Sequence, residues 1–430
     1  MNRSYLHPAE QLVMIMQRIY DKGMTTTSGG NLSIMDDEGN LWITPGSIDK
    51  GTLTPKDICR VLPDGTVEGI HKPSCELPFH QSVYRRRPDL KSVLHAHPCN
   101  LVGYSIARVL PDLTLLPTIA QASETIAMAD YAVPGSLELG ENIAKRFDEG
   151  CNTVLLENHG ICMGASDIFT AYKKFETIEF AAGLGILANR IGKAHSLSKE
   201  ALALAASIDP AAMDEFVPCA PSCDECNARR EMAKMIARSY RLGLFGATQG
   251  VYSVRITKDT FLITPHGADR NNIEPEDLVL VKGGKREAGK IPSLYAKLMG
   301  EIYAANPDIN SVILAQPKHV MAFAVTDHVF DPRTIPESYI QLQAIERIDG
   351  SELYAAPETT ARRFGPKVPA LLCQNDSIIT TGTTMLQAFD RLEVAEATAH
   401  SIIAAKDVGP VQYITEKEVT DLKVAFGLPM

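Results

Sequence analysis

Apolar residues recur at helical spacing near the start of the chain. Leu12, Ile15, Met16 and Ile19 follow the i, i+3, i+4, i+7 pattern of a helix with one buried face. Gly23 comes soon after them, where a helix often ends in a left-handed residue that glycine accommodates without strain. The pattern predicts an amphipathic helix that packs on a core and ends just before Gly23.

Further along, short apolar runs alternate with longer amphipathic stretches. The runs have the length of β-strands, and the longer stretches have helical periodicity. The predicted strands are Leu41–Thr44, Ser92–Ala96 and Thr153–Leu156, and the predicted helices lie near Glu76–Arg87, Ser136–Glu149 and Asp167–Ile191. This alternation is typical of an α/β fold, in which helices cover a sheet. The order of the strands does not follow from the pattern.

The second half of the chain repeats the first. When the sequence is shifted by 220 residues, Tyr20 meets Tyr240, and Ile43-Thr44-Pro45 meets Ile263-Thr264-Pro265. One deleted residue later, the same match continues through the next predicted helix and strand. A register kept over so many positions indicates a tandem duplication. We therefore predict two homologous α/β domains.

The segment between the two copies is rich in Ala, Pro, Asp and Cys, a composition typical of a linker. Its cysteines Cys219, Cys223 and Cys226 have a spacing that also occurs at iron–sulfur clusters. In an irregular linker, thiols without a ligand are the favoured interpretation. The sequence thus predicts a catalytic domain over residues 1–207, a linker over 208–228 and a degenerate second domain over 229–430.

Composition narrows the class of partner. A net charge of −10 over 430 residues disfavours nucleic acid, because neutralising phosphates requires clustered Lys and Arg. The sequence has no apolar run of the length that spans a membrane, and its start lacks a signal-peptide core. Nine cysteines without regular spacing suit a reducing compartment. A cytoplasmic protein that acts on a small molecule is the expectation.

Two motifs offer ligands for a metal ion. His95 and His97 are separated by one residue after an apolar run, so on a strand both imidazoles lie on one face. His159 follows another apolar run and precedes a glycine turn. Three imidazoles with an open fourth position are typical of a catalytic zinc site. The spacing alone is also compatible with hydrogen-bonded histidines in a core or at the surface.

A carboxylate stands at the start of the predicted helix over residues 76–87. Glu76 follows Pro73 and Ser74, where a negative charge favours the helix dipole. Considered alone, Glu76 is best interpreted as a helix-capping charge. His80 lies one turn further on the same face, and we interpret it as a hydrogen-bonded structural residue rather than a ligand.

Two loops have the composition of anion-binding sites. Thr27–Ser33 places glycines beside hydroxyl and amide donors, which lets backbone N–H groups approach an anion. Ile43–Ser47 is a strand that ends in a tight turn with two hydroxyl groups. Each loop alone is also compatible with an ordinary hairpin turn.

Taken together and in this order, the motifs resemble the class II aldolase/adducin family. The matching motifs are Gly30-Asn31-Leu32-Ser33, Ile43-Thr44-Pro45, Ser74-Cys75-Glu76, His95-Ala96-His97-Pro98 and Glu157-Asn158-His159-Gly160. The resemblance covers about residues 6–189, and residues 229–406 in degraded form. It implies a three-layer α/β fold for each copy.

The resemblance also implies a role for each matched residue. His95, His97 and His159 correspond to the three ligands of a divalent ion, with Zn²⁺ as the first choice and Mn²⁺, Co²⁺ or Fe²⁺ as alternatives. Glu76 corresponds to the acid–base carboxylate. The residues that fall where the family binds its substrate, in particular a phosphate group, are Gly30, Asn31, Thr44, Ser74 and Cys75.

This chain departs from the family pattern at two positions in the phosphate-binding loops. The family usually has a second serine where this chain has Cys75, whose thiol is a weaker hydrogen-bond donor. The Thr-Pro-x-Gly turn of the family reads Thr44-Pro45-Gly46-Ser47, so the glycine is displaced. A substrate with a carboxylate, or with no anionic group, therefore stays open.

The activity that the resemblance implies is a metal-dependent carbon–carbon lyase acting on a phosphorylated ketose. The ion chelates substrate oxygens and stabilises the enediolate left by cleavage, while Glu76 moves a proton. Dehydratase, 4-epimerase and decarboxylase activities use the same kind of site and stay as alternatives. Glutamate rather than aspartate at position 76 favours aldol cleavage. An adducin-like binding module is disfavoured, because the first copy keeps all four chemical residues.

The second copy has lost these chemical groups. The register replaces the carboxylate and the three imidazoles by, in chain order, Tyr295, Leu314, Gln316 and Asp376. Leucine cannot bind a metal, and an amide is a poor zinc ligand. Because the apolar strand and helix positions are kept, we expect a catalytically inactive domain that serves assembly. We hypothesise that residues of the second copy, from the same chain or from a partner chain, complete the pocket of the first copy. We expect a homo-oligomer, a dimer of tandem chains or larger.

Overall fold

The computed structural model describes residues 5–123 and 125–429. They form two compact units, each with its own sheet. The first unit is drawn from Met1–Leu113 and Ala122–Gly183, and the second from Thr114–Gln121 and Leu184–Met430. This division differs from the predicted domain limits, because residues 114–121 and 184–207 belong to the second unit rather than to the first. The domain limits at residues 207 and 229 stay a prediction.

The first unit contains an eight-stranded sheet. Its strands are β1 Asn31–Met35, β2 Leu41–Ile43, β3 Cys59–Val61, β4 Val67–Glu68, β5 Ser92–Ala96, β6 Ile126–Ala129, β7 Thr153–Leu156 and β8 Ile161–Ala165. The spatial order is β4-β3-β2-β1-β5-β8-β7-β6. Neighbouring strands are antiparallel except for the β6–β7 pair. The three predicted strands are confirmed as β2, β5 and β7.

The helices of the first half follow the predicted periodicity. They are α1 Pro8–Asp21, α2 Leu77–Arg86, α3 Cys99–Ala107, α4 Pro117–Ala122, α5 Leu137–Asp148, α6 Ile168–Ile191 and α7 Lys199–Ala206. Helices α2, α5 and α6 confirm the predicted ones closely. Helix α1 ends just before Gly23, whose φ of +66° is the left-handed conformation expected of a residue after a helix.

Two hydrophobic cores lie on opposite faces of the first sheet. Leu94 belongs to a core with Phe175 of α6, whereas its neighbour Val93 belongs to a core with Phe79 of α2. Successive residues of a strand point to opposite faces, so one strand serves both cores. The sheet is therefore the middle layer of three, as the resemblance implied.

The second half repeats this arrangement. Its strands are β9 Glu215–Phe216, β10 Val251–Thr257, β11 Thr260–Ile263, β12 Val279–Lys282, β13 Lys285–Glu287, β14 Ser311–Ala315, β15 Ile345–Asp349, β16 Ala370–Gln374 and β17 Ser377–Gly382. Its helices are α8 Cys223–Arg241, α9 Ala296–Ala305, α10 Lys318–Ala324, α11 Pro336–Leu342, α12 Glu352–Ala355, α13 Pro357–Ala361, α14 Met385–Val408 and α15 Glu416–Phe426. The spatial order is β15-β16-β17-β14-β10-β11-β12-β13-β9.

Strand pairing confirms the duplication in three dimensions. Strands β10–β17 take the places of β1–β8 in the same spatial order. His95 pairs with Asn31 across β5 and β1, and Leu314 pairs with Val251 across β14 and β10. The register inferred from the sequence is thus the register of the two sheets.

The predicted linker is more ordered than its composition indicated. Strand β9 joins the edge of the second sheet by parallel pairing with β13. Helix α8 begins at Cys223, so Cys223 and Cys226 are helical rather than part of an irregular segment. In the described part of the chain, no helix has the length and apolar character needed to cross a membrane.

Two segments of the predicted first domain, residues 114–121 and 184–207, belong to the second unit and are held there by hydrogen bonds. Asn375 donates from Nδ2 to the carbonyl oxygens of Leu115, at 3.0 Å, and His195, at 2.6 Å. Gln249 lies 3.5 Å from the hydroxyl of Thr118. The second unit is thus built from both repeats.

Candidate metal centre and acid–base site

The structure brings the three sequence-predicted imidazoles together. His95 lies near the end of β5, and His97 follows directly after that strand. The turn between β7 and β8 contains Asn158 with a left-handed φ of +52°, and it carries His159 towards the pair. One nitrogen atom of each ring lies within 4.8 Å of the others. Among the residues described, no other cluster of His, Cys, Asp or Glu has metal-binding spacing.

The geometry of the cluster fits a divalent ion. Nδ1 of His95 is 2.9 Å from the carbonyl oxygen of Ile161, and because a carbonyl only accepts, Nδ1 carries the proton. Nε2 of His95 therefore presents a lone pair and lies 3.0 Å from Nε2 of His97. Tetrahedral ligands with bonds of about 2.1 Å are separated by roughly 3.4 Å, close to this spacing.

Burial keeps these rings in the form that binds metals. Removal from water lowers the pKa of His95 well below its usual value, and the neighbouring imidazoles lower it further. Burial is also the main cause that lowers the pKa values of His97 and His159. All three rings are therefore neutral at physiological pH, and neutral imidazole is the form that binds a metal ion.

Two glycines allow the backbone to pass this close to the histidines. Gly30 has a φ of +71°, and a Cβ there would lie 2.7 Å from the carbonyl oxygen of His95. A Cβ at Gly160 would lie 2.6 Å from both the carbonyl oxygen of Ala96 and the ring of His97. Any side chain at these positions would displace the ligand rings, so the glycines belong to the construction of the site.

Glu76 faces the imidazoles instead of capping its helix. It occupies the N-cap position of α2, yet its side chain makes no capping hydrogen bond. Oε2 lies 3.3 Å from Nε2 of His95, and Oε1 lies 3.5 Å from Nε2 of His159. The carboxylate is buried, and Oε1 has no hydrogen-bond partner within the described residues. The helix-capping interpretation of Glu76 was therefore wrong.

A chain of buried hydrogen bonds orients this carboxylate. Nδ2 of Asn31 donates to Oε2 of Glu76 at 2.7 Å, and Oδ1 of Asn31 lies 2.5 Å from Nε2 of His80. Nδ1 of His80 lies 2.7 Å from the hydroxyl of Ser33. Burial lowers the pKa of His80 to about 3, so the ring is neutral and donates from Nε2. The structural interpretation of His80 is confirmed.

Sequence reasoning missed the link between Asn31 and Glu76. The signal was present, because Asn31 and Ser33 share one face of a strand, and Glu76 and His80 share one face of a helix. When this helix packs on this strand, the two polar residues of the helix can contact the two polar residues of the strand. Only the packing shows that they meet.

Of the other predicted substrate-binding residues, Thr44 lies in the second loop, and Ser74 lies beside it, where its N–H donates to the carbonyl oxygen of Thr44 at 3.3 Å. The hydroxyl of Thr44 accepts the N–H of Leu32 at 3.1 Å, and the hydroxyl of Ser74 accepts the N–H of Glu76 at 3.2 Å. Both side chains are buried, whereas Cys75 is exposed. Thr44 and Ser74 thus hold these segments in shape.

Comparison with known proteins identifies a family that matches both copies of the repeat. Residues 10–186 and 230–403 both match the family described as Class II Aldolase and Adducin N-terminal domain. The two matches together cover well over half of the chain. The chain therefore belongs to the class II aldolase/adducin family, once in each copy.

Three relatives indicate the chemistry found in this family. The chain is 34% identical over 184 residues to an L-fuculose phosphate aldolase of Methanococcus maripaludis, covering 42% of this chain and 97% of the relative. It is 31% identical over 194 residues to a 5-deoxy-D-ribulose 1-phosphate aldolase of Bacillus thuringiensis, covering 44% and 90%. It is 28% identical over 179 residues to a 3-oxo-tetronate 4-phosphate decarboxylase of Haemophilus influenzae, covering 41% and 85%. Less than half of this chain thus spans most of each relative.

Proposed function

We propose that this chain is a metal-dependent lyase that cleaves a carbon–carbon bond of a phosphorylated ketose, in an aldolase reaction. The observation that carries the proposal is the buried carboxylate of Glu76, which lies within 3.5 Å of two imidazoles of a three-histidine cluster. The names of the two aldolase relatives support the same reaction class.

The donor set favours zinc as the ion, held by His95, His97 and His159. Three neutral imidazoles with an open fourth position suit Zn²⁺, while Mn²⁺, Co²⁺ and Fe²⁺ accept similar ligands. A divalent ion bound there supplies Lewis-acid stabilisation of the negative charge that develops on substrate oxygens.

Glu76 is the group that moves a proton in this proposal. Asn31 holds Oε2 by a hydrogen bond, so the lone pairs of Oε1 stay free to accept a proton from the substrate or return one. His80 and Ser33 keep the amide of Asn31 in the orientation that donates to the carboxylate. The chain thus fixes the position of the acid–base oxygen before substrate arrives.

The anion-binding loops hold the phosphate group of the substrate in this proposal. Backbone N–H groups near Gly30 and the side chains of Asn31, Thr44, Ser74 and Cys75 are the donors there. Decarboxylation of a phosphorylated keto acid is the second candidate, which the decarboxylase relative supports. In both reactions the bond between the α-carbon of the ketone and the departing carbon breaks. The electron pair stays on the α-carbon, where the carbonyl group stabilises it, so the same kind of site can serve either reaction.

Product analysis distinguishes the two candidates. The metal-loaded chain is incubated with a panel of ketose 1-phosphates and with 3-oxo-tetronate 4-phosphate, and products are identified by NMR. The aldolase proposal expects dihydroxyacetone phosphate and an aldehyde, and expects both to disappear after chelation or in Glu76→Gln. Carbon dioxide from the keto acid alone would replace the first candidate by the second. No turnover of any substrate by fully metal-loaded protein would contradict both.

We further propose that the protein is cytoplasmic and assembles as a homo-oligomer. All nine cysteines are free thiols, which suits a reducing compartment. A duplicated chain already carries two copies of the fold, so a dimer of tandem chains would contain four. Sedimentation of the purified chain tests the assembly, and a monomer at micromolar concentration would contradict it.

A further inference from the structure

Lys50 is a buried cation to which the proposed reaction assigns no role. Its side chain is only 2% exposed, and Nζ donates to the carbonyl oxygen of Pro45 at 2.5 Å. An ammonium group has three donors, and Pro45 is the one acceptor that the described residues provide. No carboxylate in that part of the chain forms an ion pair with it.

The position of Lys50 joins the loops that we assign to the substrate anion. Its backbone N–H donates to the carbonyl oxygen of Thr27 at 2.9 Å, in the first loop. Its ammonium binds Pro45 in the second loop, and Pro45 forms a β-bridge with Pro73 beside Ser74. A positive charge therefore sits where both loops meet the segment that carries Ser74.

The second copy shows what a purely structural cation at this position looks like. Arg270 is the counterpart of Lys50 and is also buried. Its guanidinium donates to the carbonyl oxygens of Gln249, Gly250, Pro265 and Ala268, at 3.1, 2.9, 3.2 and 2.7 Å. Arg270 thus binds four loop carbonyls through Nε and Nη1, whereas Nζ of Lys50 binds only one. Two of the three ammonium donors of Lys50 have no acceptor among the described residues.

Such an arrangement is unfavourable without a further partner. Burying a charge is costly unless it is paired and hydrogen-bonded. Burial lowers the pKa of Lys50, which is the physical sign of this cost. An anionic ligand in the loops would supply both the counter-charge and the missing acceptors.

We propose that Lys50 is a specificity-determining residue, whose ammonium provides the positive charge that selects a phosphorylated substrate. The inference rests on the proposed function and names a group that recognises the phosphate. It also accounts for Cys75, because a full charge at Lys50 compensates for the weaker donor that replaces a serine. Lys50 takes no part in the proton transfer at Glu76.

The test measures binding of inorganic phosphate to the zinc-loaded full-length chain by calorimetry. Lys50→Gln keeps a donor for Pro45 and removes the charge, Lys50→Arg keeps the charge, and Arg270→Gln is the matched change in the second copy. We expect Lys50→Gln to weaken phosphate binding roughly ten- to a hundredfold, the range of a charge-assisted hydrogen bond. Lys50→Arg should retain binding, and Arg270→Gln should bind phosphate as the wild type does.

A second readout separates charge recognition from loop structure. Dihydroxyacetone phosphate and dihydroxyacetone differ only in the phosphate, and deuterium exchange at their hydroxymethyl carbon in D₂O follows proton transfer without an aldehyde. Lys50→Gln should raise KM for the phosphate ester alone and leave kcat and the exchange of dihydroxyacetone unchanged. Equal losses for both compounds, or unchanged phosphate affinity, would overturn the role of Lys50.

A third measurement does not depend on the folding of Lys50→Gln. In wild-type protein labelled with ¹⁵N-lysine, phosphate should shift one ammonium resonance that is absent from Lys50→Arg, and no such shift would overturn the proposal. These experiments also distinguish an error in the role of Lys50 from an error in the proposed aldolase reaction. Phosphate binding that depends on Lys50, without exchange of dihydroxyacetone phosphate by the wild type, contradicts the aldolase reaction and supports the anion site.

Discussion

In the first unit, Glu76 lies beside the three-imidazole cluster that includes His159, while in the second unit the equivalent positions hold Tyr295 and Asp376. Glu76 and Tyr295 are both N-cap residues, of α2 and α9. The hydroxyl of Tyr295 lies 3.0 Å from Oδ1 of Asp376, so a direct hydrogen bond spans the place where the first unit gathers its three imidazoles.

The two sites differ most in how fully their polar groups are satisfied. Asp376 also accepts hydrogen bonds from Tyr354, at 2.5 Å, and from Ser377, at 2.8 Å. In the first unit, Oε1 of Glu76 and Nδ1 of His159 are buried without a partner among the described residues. A satisfied buried network stabilises the fold, whereas groups left without partners in a folded protein call for a ligand. In the second copy, loss of the imidazoles and the carboxylate is therefore accompanied by a closed hydrogen-bond network around Asp376.

The largest expected effect comes from removing metal ligands in one copy only. His95→Ala/His97→Ala should abolish bound metal and reduce turnover by roughly a thousandfold or more, because metal stabilisation of charge contributes several kcal/mol. Gln316→Ala is the matched change in the second copy and should leave metal content and turnover unchanged. Elemental analysis and steady-state kinetics measure both. Equal metal content in the double variant and the wild type would refute the assignment of the ligands.

The acid–base residue gives the next largest effect. Glu76→Gln should lower turnover by about a hundredfold or more while the metal stays bound, because the amide cannot accept the proton. Its counterpart Tyr295→Phe removes only the hydrogen bonds to Asp376 and Tyr354 and should leave turnover as it is. The measurement is kcat together with metal content. Full activity of Glu76→Gln would show that Glu76 has a structural role and does not transfer the proton.

The closed network of the second unit should make its stability depend on pH. Burial raises the pKa of Asp376 to about 6 from 3.8. Because the folded state holds this proton more tightly than the unfolded state, the contribution to stability is present at low pH and is lost as pH rises. Between pH 4 and 7 the unfolding free energy should fall by about 2 kcal/mol from this group.

Hydrogen exchange of the amides in β16 and β17 measures that dependence, since both strands adjoin Asp376. Asp376→Asn should flatten the pH profile, and the exposed Asp308→Asn should leave it unchanged. A profile that stays equally steep in Asp376→Asn would show that another group titrates.

The smallest expected effect concerns the displaced glycine. Ser47 has a φ of +58°, while its counterpart in the second copy is Gly267, with a φ of +63°. The left-handed conformation is strained for serine and free for glycine, so Ser47→Gly should stabilise the chain by up to about 1 kcal/mol. Gly267→Ser should destabilise it by a similar amount. Thermal unfolding measures both, and a destabilised Ser47→Gly would mean that the serine side chain supports the turn.

Much of the fold could be predicted because its helices and strands follow from the local periodicity of apolar residues. The helices at α1, α2, α5 and α6 and the strands β2, β5 and β7 follow from apolar spacing over a few residues. The start of α8 was missed although Ser222 and Glu225 carry a capping pattern, and Ser222 does cap the helix. Strand β9 has only two residues and forms because the edge of β13 is available to it, which no local pattern reports.

The sequence by itself determined the duplication, the alternation of helices and strands, the residues able to bind a metal, and their loss from the second copy. These properties depend on residue type and on spacing within one element or one repeat. Tertiary structure alone decided that Glu76 turns away from its helix and towards His95, and that Asn31 holds it. It alone placed Thr114–Gln121 in the second unit. Contacts between residues far apart in the chain depend on how whole faces pack, and local spacing does not encode that packing.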